Sequence, residues 1–81
     1  MKDFPFEALV KIAQEDFFVG RIIINKVKTE YTAEIDIINK ESRKIYRHVD
    51  NLYGGGDPKE TLDQAVQKLA EFLGHGGQCL H

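Results

Sequence analysis

The sequence predicts a small α+β domain, and three observations carry that expectation. Apolar and polar residues alternate along YTAEIDII, Tyr31 to Ile38. Apolar residues recur at spacings of three and four from Leu62 to Leu73. Short polar turns separate these segments. A period of two suits a half-buried strand, and a period near that of the α-helix suits a helix lying on a core. The expected order is helix, strand, strand, strand, helix, with both helices on one face of a three-stranded antiparallel sheet.

Each element follows from its residues. Phe6, Leu9, Val10, Ala13 and Phe17 fall at helical spacing, and Pro5 suits a first helical position, so a short helix is expected over about residues 5–15. Phe17 to Val27, FFVGRIIINKV, is rich in β-branched and aromatic residues and is expected to form a strand. After the polar turn Lys28-Thr29-Glu30, the alternation of Tyr31, Ala33, Ile35 and Ile37 against Thr32, Glu34 and Asp36 predicts a second strand. The turn Asn39 to Ser42 leads to a third, Arg43 to Asp50, and the short connections imply hairpins.

The last helix is the clearest element. Leu62, Ala65, Val66, Leu69, Phe72 and Leu73 make one apolar stripe, with Gly74 as the expected stop. Three glycines precede it in NLYGGGDPKETL, and such a run invites a phosphate-cradle reading. Neither G-x-x-x-x-G-K-[ST] nor G-x-G-x-x-G is present, and Asp57 sits where an anion would bind. Asp57, Pro58 and Glu60 instead form a variant of the capping box, and the glycines act as a hinge. A single compact domain over 1–74 is expected, with 75–81 as a flexible tail.

A chain of 81 residues buries about 60% of the surface its unfolded form exposes, so its core is thin. A net charge of −2 argues against a dedicated nucleic-acid binder. Cys79 is the only cysteine, so no disulfide framework is expected. The longest apolar run, Ile22 to Ile24, is too short to span a bilayer, and MKDFPFEALV does not read as a signal peptide. A cytoplasmic protein without membrane contact is the expectation.

Four constellations bear on function. The reverse side of the sheet carries Val19, Arg21, Ile23, Val27 and Ile38, more apolar than a freely solvated face needs to be, and is the expected surface for a protein partner or a homodimer. Lys40, Arg43, Lys44, Tyr46 and Arg47 form a basic cluster with an aromatic, the alternative surface for RNA or DNA. An ordinary cross-strand pair of Glu34 with Arg47 would neutralise it. His75, Cys79 and His81, with His48 as a fourth group, fall short of zinc-ligand spacing, so no metal and no cofactor is expected. No nucleophile stands at recognisable spacing from a base, and Glu34 and Asp36 are expected to face water. No catalytic residue is assigned, and a small enzyme using His48 ranks last.

The expected order of elements resembles the double-stranded-RNA-binding domain, over most of residues 5–73 and in layout only. That family opens its second helix with lysines; GGGDPKETLDQA here carries Lys59 alone. Its first hairpin has a Gly-Pro-x-His signal where this chain reads KVKTEY. The resemblance implies a fold, not RNA contacts. The expected role is a small non-enzymatic interaction module, of regulator, inhibitor or adaptor type.

Overall fold

A computed structural model describes residues 3–13 and 15–76. It contains four strands, β1 (Phe6–Lys11), β2 (Phe18–Val27), β3 (Glu30–Asn39) and β4 (Ile45–Gly55), followed by one helix, α1 (Pro58–Gly76). The strands form one antiparallel sheet in the order β1-β2-β3-β4. The α+β class is as expected, but the element order is not.

The first expected helix is a strand. Phe6, Ala8 and Val10 turn to the core beside Ile24, Ile22 and Gly20, while Glu7, Leu9 and Lys11 turn away. The same residues satisfy either period over so short a segment. Leu9 decides between them: it belongs to the helical stripe, yet it is 47% exposed on the side away from the core. The sheet therefore has four strands and a single covering helix. The layout shared with the double-stranded-RNA-binding domain is lost with the first helix.

The core lies between the sheet and α1. Ile22, Ile24, Ala33, Ile35 and Ile37 meet Ala65 and Leu69, with Ile12 closing the cluster. The helix lies over β2, β3 and β4. It approaches through Thr61, Ala65 and Leu69, buried one turn apart, whereas Val66, expected to face inward, is 38% exposed. A side chain at Gly20 would run into Leu69, and one at Gly55 would run into Thr61. Fully burying side chains of the Ile and Leu class contributes about 1.5–3 kcal/mol each, so this thin layer supplies most of the driving force.

The glycine run belongs to β4 more than to a hinge. Gly54 has a left-handed φ of 75° and Gly55 still pairs with Tyr31. The cap is present: Asp57 Oδ2 accepts the Glu60 N–H at 3.1 Å, and the Asp57 carbonyl accepts the Thr61 hydroxyl at 2.8 Å. Gly74 does not end the helix, which runs to Gly76. Of the expected tail, residues 77–81 lie outside the described residues.

Candidate interaction face

The side of the sheet away from α1 is built by strand alternation. On β2 it presents Val19, Arg21, Ile23, Asn25 and Val27; on β3, Thr32, Glu34, Asp36 and Ile38. Pairing sets Val19 beside Ile38, Arg21 beside Asp36 and Ile23 beside Glu34. On β1 it presents Glu7, Leu9 and Lys11, next to Ile23, Arg21 and Val19. Among the described residues no helix or strand lies over this side.

β4 does not alternate cleanly. Its pairing with β3 shifts at three places, between Tyr31 and Ala33, Ile35 and Asp36, and Ile37 and Ile38. Each bulge inserts a residue and resets which side the next one faces. As a result Ile45 pairs with Ile38, His48 with Asp36 and Asn51 with Glu34, all on the open side, while Arg47 pairs with Ile37 on the core side. There its guanidinium lies over the Phe72 ring, 5.3 Å from the centroid. The expected Glu34–Arg47 pair is therefore absent, because a bulge moves Arg47 to the other face.

At the centre of the open side lies an ionic cluster that the sequence did not reveal. Asp36 is 1% exposed. Its Oδ1 accepts a hydrogen bond from His48 Nδ1 at 2.7 Å, and its Oδ2 lies 3.6 Å from Arg21 Nη2. A carboxylate oxygen only accepts, so Nδ1 holds the proton in this contact. Among the described residues, Asp36 Oδ2 and Arg21 Nε are both buried without a hydrogen-bond partner. The Arg21–Asp36 contact is thus a slack ion pair, short of the two-bond fork this geometry allows. The expectation that Asp36 faces water is corrected: groups on the two flanking strands enclose it. Glu34 remains exposed. Its pKa is raised, first by partial burial and then by the negative charge of Asp36, against the opposing pull of Arg21 and His48.

The expected partner-binding residues divide by accessibility. Val19, Arg21 and Ile23 are half-buried and Val27 is exposed. Ile38 is fully buried and offers no area to a partner; it serves as the floor beneath its neighbours. Leu9 and Ile45, not singled out from the sequence, are large exposed apolar groups on the same side. The signal for Leu9 was its position in a strand rather than a helix.

The basic cluster is split. Lys40, Arg43 and Lys44 are exposed in the turn between β3 and β4. Asn39 Oδ1 accepts the Glu41 and Ser42 N–H groups there, at 2.9 and 3.0 Å, and Arg43 takes a left-handed φ of 64°. Tyr46 rests on Phe18 with centroids 4.5 Å apart, and Arg47 is held over Phe72. His48, the fourth group of the weighed metal set, is committed to Asp36, while Cys79 and His81 lie outside the described residues. Among the described residues no three metal-ligating side chains cluster, and no helix is long and apolar enough to cross a membrane.

Comparison with family models, curated proteins and solved structures finds no match to this chain.

Proposed function

We propose that this chain is a small non-enzymatic interaction module, of regulator, inhibitor or adaptor type. It meets a protein partner or a second copy of itself through the uncovered side and free margin of its sheet. One observation supports this reading: α1 covers a single side, and the other presents Leu9, Val27 and Ile45 exposed, with Val19 and Ile23 half-exposed, around a paired Arg21–Asp36–His48 centre. Apolar side chains around a paired ionic centre suit burial against a protein, because docking does not strand an isolated charge.

Solution mass and partner binding of the wild type, compared with Ile23→Glu, test the proposal. The substitution removes a half-buried apolar group and sets a third carboxylate between Glu7 and Glu34, and is expected to abolish association while the far-ultraviolet dichroism stays unchanged. Unaltered association would remove the open side from the contact. Nucleic acid is the competing ligand, acting through Lys40, Arg43, Lys44, Tyr46 and Arg47. With Tyr46 on Phe18 and Arg47 on Phe72, fewer of these groups are free to meet phosphates or bases. Affinity that falls steeply with salt and is lost on joint replacement of Arg43 and Arg47 would favour it instead.

A further inference from the structure

The sheet has two margins, and they differ. β4 is interrupted by three register shifts. β1 pairs with β2 in unbroken register from Phe6 to Lys11, and among the described residues its other edge faces no strand. An uninterrupted free edge is a template for another strand, whereas bulges blunt one. The helix lies over β2, β3 and β4, so Phe6, Ala8 and Val10 on the core side of β1 are only half-buried. Leu9, on the opposite side, is 47% exposed between exposed Glu7 and Lys11.

We propose that β1 pairs antiparallel with β1 of a second copy about a two-fold axis through Leu9, joining two four-stranded sheets into one. This rests on the interaction-module reading and names its partner. The sequence Glu7-Ala8-Leu9-Val10-Lys11 is self-complementary in that register. Leu9 meets Leu9 of the second copy. Glu7 meets its Lys11, and Lys11 meets its Glu7. On the core side Ala8 and Val10 face each other across the axis, so apolar groups extend the core side of both sheets. The same strand in the other chain therefore supplies matched charges, matched apolar groups and the unpaired backbone groups at once. Moving the axis to Ala8 would instead set Glu7 against Leu9 and leave Lys11 without an opposite charge, so the charges select one register.

Sedimentation of the full chain across a concentration range tests this. The mass is expected to rise from 9.3 kDa toward twice that value. Glu7→Lys or Lys11→Glu alone sets like charges opposite each other at two symmetric places and weakens dimerisation about tenfold. Combining both substitutions in one chain restores the wild-type constant. Mixing the two single variants yields a heterodimer tighter than either homodimer, a result that loss of folding cannot produce. Circular dichroism establishes that each variant is folded. Three results overturn the pairing: a monomer at every concentration, single charge reversals that dimerise like the wild type, or no heterodimer on mixing. A dimer that Ile23→Glu dissolves and the charge reversals leave intact moves the contact to the open side and overturns edge pairing alone. A monomer that still binds a foreign protein through Ile23 also overturns it, and leaves the wider reading standing.

Discussion

Gly20 and Leu69 offer a test in which the sign of an effect reverses with its surroundings. Gly20 has no left-handed backbone, so alanine is compatible with its conformation. The added methyl, however, runs into Leu69 Cδ2 and lies 3.5 Å from Leu69 Cγ and Val10 Cβ. Leu69 is 1% exposed and has little room to give way. Overpacking of this kind costs about 1–3 kcal/mol, offset by about 0.4–1 kcal/mol from the smaller entropy of the unfolded chain. Gly20→Ala should therefore destabilise by about 1–2 kcal/mol. Leu69→Ala leaves a cavity and should cost about 2–5 kcal/mol, a large share of the roughly 4–12 kcal/mol expected of a chain this size. In that second background the methyl at position 20 enters vacated space. The overpacking disappears, the entropic gain remains, and Gly20→Ala becomes stabilising by about 0.5 kcal/mol or more. Urea unfolding of the wild type, both single variants and the double variant closes the cycle, provided the denaturant slopes agree. If Gly20→Ala lowers stability equally in both backgrounds, the close approach of helix and sheet described here is wrong.

Two further outcomes are expected. Asp36→Ala leaves the Arg21 guanidinium, 17% exposed, without its carboxylate; because His48, at 48%, can turn to water and repulsion with Glu34 is relieved, the loss should be about 2 kcal/mol by denaturant unfolding rather than the larger figure for a wholly buried pair. A loss under about 0.5 kcal/mol would show that the cluster holds nothing together. Glu34 has a folded-state pKa above its unfolded value, so its contribution is complete below the unfolded glutamate pKa of about 4.3 and is lost as pH rises through the folded value. Glu34→Gln lacks that loss and should gain up to about 0.5 kcal/mol over wild type at neutral pH, an advantage that shrinks toward pH 4. An advantage that grows on acidification would contradict this sign.

Legibility in the sequence followed length and regularity. Tyr31 to Ile38 read correctly as a strand because its alternation persists beyond any helical coincidence, and the short turn before it implied the antiparallel hairpin, though not the register that sets it beside Arg21, Ile23 and Val19. The stripe from Leu62 to Leu73 read correctly for the same reason, although the innermost contact came from Thr61 and Ala65 rather than Val66. The segment FEALVK failed because Phe6, Leu9 and Val10 fit one period and Phe6, Ala8 and Val10 the other. In β4 the alternation is cut by bulges, so the sides taken by Arg47 and His48 could not be read from spacing. The burial of Asp36 was invisible for a different reason. It arises from Arg21 and His48 on two other strands, and no local window contains all three residues.

The irregular margin of β4 also limits how far such a sheet can grow. A layer with two straight borders adds copies at both, without end, and the product is a fibre. Here one border is crimped, with Gly54 in a left-handed conformation near its last paired residue, so an incoming strand finds no even line of donors and acceptors along it. Under the proposed β1 pairing, growth by strand addition would stop after a single event. A chain rich in isoleucine along its central strands would then stay a discrete particle instead of seeding a polymer.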